Sequence, residues 1–450
     1  MELPKYVTDF LQKFDKAGYK IYVVGGTVRG LLTGHDVKDW DFTTSAKPEE
    51  IQKLFPDSFY NNKFGTVGIP INAEGKQLIF EVTTFRKESG YTNVRHPDKI
   101  MWTHNIEDDL ARRDFTINAS AYNPMYTVST IDPYNGWEDL KNKKIIAVGD
   151  PDVRFAEDAL RLMRAVRQAT QLGFIIEEKT LASIQKNSEL ITKISGERIR
   201  DEFCKILSSP HAADGILLLR STQLLKYILP EVDVCFGIDQ KSPERHHIYD
   251  VGTHLVESLR HCPSSDVITR FATLIHDIGK AKTVRKDEKT GIITFYNHEV
   301  VGTKQATEIA SRFKLSNKEK EKLVTLVRHH QFTVNEKQTD KAIRRFIRDV
   351  GVENIDDMLA LRTGDRLGSG AKETSWRTEL FKKRIEEVQI IPFSVNDLKI
   401  DGHDVMKELG IKPGPEIGKI LNTIFTEVEE GKLKNEREVL INRIKEYKSL

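Results

Sequence analysis

The chain has 450 residues, more than one hydrophobic core serves, so two to four domains are expected. Its 69 basic and 67 acidic residues leave a net charge of only +2, which excludes a global basic field for nucleic acid; any such surface is local. No run of about 18 apolar residues occurs, which excludes a helical membrane span, and Cys204, Cys235 and Cys262 have neither metal-ligand spacing nor an even-numbered framework, so a reducing, cytoplasmic setting is expected.

In chain order, MELPKYVTDFLQKFDKAG lacks an apolar signal core and reads as an amphipathic helix. Residues 20–24 (KIYVV) predict a strand that ends in the turn Gly25–Gly26, followed by a short helix from Thr27 to Leu32. Alternation in KDWDFTT predicts a second strand over 38–44, and KPEEIQKLF predicts a helix over 47–55 with proline in its first turn. FGTVGIPI and QLIFEVTTF are two more strands, and the mixed sheet closes near residue 145 after KKIIAV. Residues 85–112 are polar, contain Gly90 and Pro97, and look too irregular for one element. Residues 153–209 turn helical, 210–370 stay helical and become histidine-rich, and 371–450 are helical and charged with a break at KPGPEIG. The fold class is therefore an α/β head (1–148) followed by an all-α neck (149–212), body (213–370) and tail (371–450).

Three constellations carry chemistry. In a strand, side chains i and i+2 point the same way, so Asp39 and Asp41 project together with Trp40 opposite. Two adjacent carboxylates repel unless a cation joins them, and hard oxygen donors suit Mg²⁺, which takes phosphate oxygens as further ligands. Backbone N–H groups of the Gly25–Gly26 turn offer a phosphate seat at the start of a helix, and Arg29 adds charge. The second constellation is RFAEDALRLMRAVR, 154–167. Phe155, Ala159, Leu162, Met163 and Val166 form a buried stripe, while Asp158, Arg161 and Arg164 lie on the other side. Asp158 and Arg161, at i and i+3, read either as an ion pair on a solvated face or as a base reader. A carboxylate accepts from the amino group of cytosine or adenine and a guanidinium donates to the adjacent ring nitrogen; uracil and guanine present the reverse order. The third constellation is the histidine-bearing series THL, LIHDIGK, YNHEV and VRHHQ, followed by TGDRLG with Asp365. His276–Asp277 is expected inside an apolar helix, with His254 before it and Asp365 after it, and imidazole and carboxylate groups of this kind suit a divalent metal, with His298 and His329 or His330 available for a second. The same cluster could serve only as a helical scaffold.

GGTVR…DWDF, RRDFTINA (112–119), IDPYNGWEDL (131–140), RFAEDALRLMRAVR and GERIRDEFCKIL (196–207), in this order, resemble the motifs of the class II tRNA nucleotidyltransferase (CCA-adding enzyme) and bacterial poly(A) polymerase family. The likeness is dense over residues 20–210 and resumes at LKIDGHDVMKELGIKPGPEIGKIL (398–421). It departs at Gly30, where the family usually has aspartate. The resemblance implies a polymerase β-like nucleotidyltransferase head, catalytic Mg²⁺ on Asp39 and Asp41, and a nucleotide site of Gly26, Arg29, Arg113, Asp158, Arg161, Arg164 and Arg167. Glu81 falls at a third acidic position, either a base for the attacking hydroxyl or a solvated strand residue. In the family the 85–112 loop switches selection from C to A, and here it looks full length. The implied partners are tRNA, ATP and CTP, with the tail and Lys407, Lys412 and Lys419 holding tRNA; A-only addition and poly(A) synthesis are the alternatives. The histidine series resembles an HD phosphohydrolase domain, which implies a divalent metal (Mn²⁺, Ni²⁺, Co²⁺ or Mg²⁺) on His254, His276, Asp277 and Asp365. It also opens a non-polymerase alternative, a phosphohydrolase with an RNA-binding head.

Overall fold

The computed structural model describes residues 2–34, 37, 39–60, 65–73, 75–90, 98–240, 248–332, 335, 338–388 and 395–447. Two compact units divide the chain: Met1–Val234 with Ser311–Lys314, and Cys235–Ala310 with Leu315–Leu450.

The first unit opens with α1 (Lys5–Lys16), whose apolar stripe buries Val7, Phe10, Leu11 and Phe14. Next come β1 (Ile21–Val24), α2 (Gly26–Thr33), β2 (Asp41–Thr44), α3 (Pro48–Leu54), β3 (Phe59–Tyr60), β4 (Thr66–Ala73) and β5 (Lys76–Thr84). They are followed by β6 (Arg86–Ser89), β7 (Lys99–Trp102), α4 (Ile106–Ala111), β8 (Ala121–Tyr122), β9 (Thr130–Ile131) and α5 (Gly136–Lys141). Seven strands make one sheet in the order β3-β4-β5-β2-β1-β8-β9, with β2 and β5 parallel and every other neighbour antiparallel. One face packs on α1 and α3 through an aromatic core: Phe10 lies 4.9 Å from Phe42, and Phe42 lies 5.0 Å from Phe80, ring centre to ring centre. The other face of β5 stays open, since Phe80, Val82 and Thr84 are buried while Ile79 and Glu81 are exposed.

Three expectations need correction here. The strand predicted over 38–44 begins only at Asp41, because Thr27 Oγ1 donates to the Asp39 carbonyl at 3.1 Å and accepts from the Asp41 N–H at 3.0 Å. A side chain thus takes backbone groups that a ladder would use. Residues 85–112 are not an irregular loop: β6 and β7 pair antiparallel from Arg86–Trp102 to Ser89–Lys99 and α4 follows, with 91–97 outside the described residues. β6 (RKES) is polar throughout and β7 (KIMW) is an unbroken apolar run after its lysine, so neither carries an alternation for a sequence reading to detect. The closing strand β10 (Lys144–Ile145) does not join the large sheet; it pairs parallel with β11 (Ile175–Ile176).

The neck helices of this unit are α6 (Pro151–Glu157), α7 (Leu160–Leu172), α8 (Glu178–Asn187) and α9 (Gly196–Leu207). The second unit is helical. Its helix Ile355–Gly368 crosses Val251–Arg260 closely because Gly364 and Gly368 have no side chain; a Cβ on Gly364 would lie 2.5 Å from the Ser258 carbonyl oxygen. Gly279 does the same for the turn after Val267–Ile275, which sits against the His298 carbonyl. The helices Gly402–Leu409, Pro415–Glu429 and Arg437–Glu446 close a small core of their own around Val405, Ile424, Leu440 and Ile444. Among the described residues, no helix is long and apolar enough to cross a membrane.

Candidate functional site

A cavity of about 470 Å³ opens where the sheet of the first unit meets α2, α7 and α9. Eight arginines line it against four carboxylates, Asp41, Glu81, Asp114 and Asp158, so its excess positive charge suits a polyanion. Gly25 forms the corner at φ +65°; a Cβ there would press to 3.2 Å from Arg113 Nη1 and 3.7 Å from Asp41 Oδ2. Gly26 opens α2 beside it. Asp41 stands directly opposite Glu81 across the parallel ladder, while Asp39 precedes the strand and Trp40 turns into the core. Burial raises the Asp41 carboxyl, and Glu81 and Asp39 add to this against Arg113, leaving it at about 6. Such a group gains from a cation. Two or three oxygen donors with room for phosphate fit Mg²⁺, whose other ligands are water and substrate.

The arginines are held by long-range partners. Arg29 donates to Asn118 Oδ1, and Asn118 Nδ2 donates to Asp114 Oδ1 and to Gln168 Oε1, each at 3.0 Å. Arg164 grips Asp114 Oδ2 through Nε at 2.8 Å and Nη2 at 2.5 Å. Burial would raise Asp114; the Arg164 guanidinium beside it instead holds it well below the usual carboxylate range. Arg113 pairs with buried Asp109 at 3.2 Å, and Arg167 with Glu202 at 2.5 Å.

Asp158 and Arg161 share this cavity, but only their backbones bond, the Arg161 N–H to the Asp158 carbonyl at 3.0 Å; their side chains do not pair, contrary to the expectation of a pair on one helix. Asp158 is extended (φ −141°, ψ 104°) between α6 and α7. The cause is local: its Oδ1 accepts from the Leu160 N–H at 3.1 Å, a short polar side chain bonding its own backbone two residues on. The carboxylate faces Arg198 of α9, with Oδ2 3.1 Å from Nη2. Arg161 bonds Glu157 at 2.7 Å and the carbonyls of Arg154 and Arg112 at 3.1 and 2.9 Å. The stripe Phe155, Ala159, Leu162, Met163 and Val166 is buried as its spacing predicts. Sequence reasoning did not single out Thr27, Asn118, Asp114 or Arg198, although RRDFTINA and GERIRDEF, which contain three of them, were its motifs.

A second cluster lies wholly in the second unit. His254, His276 and Asp365 form one group of potential ligands and Asp277, His298 and His330 another, with the donor atoms of each group within 4.8 Å of one another. Asp277 joins them: Oδ2 is 3.5 and 3.4 Å from the Nε2 atoms of His254 and His276, and Oδ1 is 3.1 and 3.3 Å from those of His298 and His330. Of the two adjacent histidines, His330 belongs to the second group of donor atoms and His329 to neither. His276–Asp277 does not lie inside a helix as expected but in the turn just past Ile275, which frees both side chains to face the cluster. The Nδ1 atoms of His276, His298 and His330 lie 2.8, 2.8 and 2.7 Å from the carbonyls of Thr273, Phe295 and Val327. A carbonyl only accepts, so Nδ1 carries the proton and Nε2 offers its lone pair inward, the orientation that metal ligands take. Facing Nε2 atoms stand 3.2 Å apart (His254, His276) and 3.3 Å apart (His298, His330), so each pair is held either by a proton on one ring or by a cation between the two lone pairs. Burial pushes His276 down, but Asp277 and Asp365 beside it overturn this and raise it to about 10, and Lys280 stands 2.6 Å from Asp277 Oδ2. The donor set thus fits two divalent metals.

Three family descriptions match the chain in succession: "Poly A polymerase head domain" over residues 21–146, "Probable RNA and SrmB- binding site of polymerase A" over 173–236, and "tRNA nucleotidyltransferase domain 2 putative" over 285–444. A CCA-adding enzyme of Levilactobacillus brevis is 33% identical over 433 residues, 96% of this chain and 95% of that protein. The chain belongs to the CCA-adding enzyme family. A CCA-adding enzyme of Lactobacillus helveticus reaches 49% identity over 215 residues, 48% of this chain and 52% of its own length. The structure of the Bacillus stearothermophilus CCA-adding enzyme in complex with CTP aligns over all of this chain and 98% of its own, with a TM-score of 0.72 at 27% identity. The Thermotoga maritima CCA-adding enzyme complexed with tRNA shares the fold, with a TM-score of 0.59 at 22% identity. Membership in the CCA-adding enzyme family agrees with the polymerase-type head and helical remainder found here.

Proposed function

We propose that this chain adds C and A nucleotides from CTP and ATP to the 3′ end of tRNA without a nucleic-acid template. The observation that carries this reading is the arginine-lined cavity in which Asp41 and Glu81 stand beside the Gly25–Gly26 turn while Asp158 and Arg161 face the same space. Asp39 and Asp41 would hold Mg²⁺, which when bound neutralises the triphosphate and acidifies the acceptor hydroxyl. Glu81 takes the proton of that hydroxyl. The N–H groups of the turn with Arg29, Arg113, Arg164 and Arg167 seat the triphosphate. Asp158 exchanges Arg198 for the amino group of cytosine or adenine, and Arg161 exchanges Glu157 for the ring nitrogen, so that uracil and guanine leave buried groups unpaired. Exposed Lys407, Lys412 and Lys419 around the KPGPEIG turn hold tRNA by its backbone. The test supplies each nucleotide singly to tRNAs ending before CCA, after C and after CC, with product lengths read on a gel; stepwise C, C, A addition is expected, and incorporation of any other pattern overturns the reading.

A second reading concerns the histidine cluster, favoured by its two ligand triads. We assign it metal-dependent hydrolysis of phosphomonoesters or 2′,3′-cyclic phosphates. A divalent pair (Mn²⁺, Ni²⁺, Co²⁺ or Mg²⁺), when bound, supplies Lewis-acid activation. Arg362 and Arg366, which line the adjoining cavity of about 530 Å³, bind the phosphate, and Lys280 orients Asp277. Absence of hydrolysis with all four metals would leave the cluster a scaffold.

A further inference from the structure

The open face of the large sheet carries one row that extends beyond the nucleotide cavity. Phe59 of β3 is opposite Gly68 of β4, Gly68 is opposite Glu81 of β5, and Glu81 is opposite Asp41 of β2. Directly opposed residues project from the same face of a sheet, so the Phe59 ring stands on the side of the two carboxylates. With neighbouring strands about 4.8 Å apart, β3 lies roughly 10 Å from Glu81 and roughly 14 Å from Asp41. The ring leans inward. A Cβ on Gly68 would come to 2.5 Å from Phe59 Cζ and 2.6 Å from Cε2, so the ring occupies the place of the side chain that glycine lacks. Even so it is 45% exposed, and Ile79, on the same face two residues before Glu81, is 56% exposed. The core lies on the opposite face, with Val67, Ile69, Phe80 and Val82, and does not need either of them.

We infer that the Phe59 ring is the stacking platform for the 3′-terminal base of the acceptor RNA. The inference rests on the nucleotidyl-transfer reading above and adds the acceptor's place to it. An attacking 3′-hydroxyl must come within about 3–3.5 Å of the α-phosphorus held near Asp41 and Glu81. The base that belongs to this hydroxyl then lies about one nucleotide away. The arginine side of the cavity is taken by the incoming nucleotide, and β4 and β3 are the free side. The occupant is the RNA end because the incoming nucleotide's base is already committed to Asp158 and Arg161, which leaves the base of the attacking 3′-hydroxyl for the side of β4 and β3. Stacking is also the contact the reaction can tolerate: the terminal base changes after each addition, and every base has a flat face.

The experiment uses the full chain and a tRNA ending before CCA with 2-aminopurine as its last base. Wild type is expected to quench the fluorescence on binding. Phe59→Ala abolishes the quench and raises the KM for tRNA by roughly 5- to 100-fold while the KM for CTP stays unchanged. Phe59→Tyr and Phe59→Trp keep both; Gly68→Ala, which displaces the ring, behaves as Phe59→Ala. Phe59→Leu preserves apolar bulk without a flat face and is expected to lose the quench, so a Leu variant that behaves as wild type overturns the inference. An unaltered quench in Phe59→Ala, or an equal rise in both KM values, also overturns it. A wild type that quenches yet adds no nucleotide refutes the transfer reading instead, because the quench reports stacking independently of chemistry.

Discussion

Replacing Asp158 by asparagine tests base selection with the fold left in place. Asp158 uses its two oxygens differently: Oδ1 caps the Leu160 N–H at 3.1 Å and Oδ2 faces Arg198 at 3.1 Å. Asparagine keeps a carbonyl for the cap, so its NH₂ must take the other place. A donor then stands where cytosine and adenine need an acceptor and where uracil and guanine offer one. One such polar contact is worth about 1–3 kcal/mol of discrimination, or roughly 5- to 150-fold in the preference for CTP over UTP. Loss of the ion pair with Arg198 costs little stability, because both partners are partly solvated. Asp158→Ala differs: it also loses the hydrogen bond from the Leu160 N–H, a net loss of about 1 kcal/mol, and shows a lower Tm. The assay is single-turnover incorporation of CTP, ATP, UTP and GTP on one tRNA acceptor, with a thermal melt beside it. If Asp158→Asn were slower with every nucleotide but kept its full preference for C and A, Asp158 would not read the base, and selection would have to come from Arg161 alone or from the β6–β7 hairpin.

Asp39→Ala or Asp41→Ala should abolish incorporation while tRNA binding, followed by filter retention, stays largely intact. Asp41 titrates at about 6, above the ordinary aspartate value of 3.8, so below pH 6 a proton competes with the cation; apparent Mg²⁺ affinity, followed by calorimetry, should fall roughly tenfold from pH 7 to pH 5. His276→Ala or Asp277→Ala should remove hydrolysis and lower bound metal from two equivalents per chain, read by elemental analysis, while nucleotide addition continues. Gly364→Ala drives a Cβ into the Ser258 carbonyl oxygen at 2.5 Å, and should cost about 1–3 kcal/mol in a denaturant melt and weaken metal binding through its neighbour Asp365.

The features legible in the sequence are those set by chain neighbours. A β-branched run ending in Gly25–Gly26, an acidic pair two residues apart, and a buried stripe from Phe155 to Val166 follow from the periods of strand and helix, which act over a few residues. Local chemistry also misled: the i, i+3 spacing of Asp158 and Arg161 predicted a contact that one side-chain cap undid. His329 and His330 are adjacent and indistinguishable by type, yet only His330 is turned into the histidine–aspartate cluster, because packing of the helix end on its neighbours buries His330 fully and leaves His329 half-buried. The partners that hold the charged side chains of the arginine-lined cavity are farther still. Arg29 meets Asn118 across 89 residues, Arg164 meets Asp114 across 50, and Arg198 meets Asp158 across 40. No periodicity encodes such pairs. They exist because the sheet order and the packing of α7 and α9 bring distant segments to one cavity, where buried charges find the partners that make their burial tolerable.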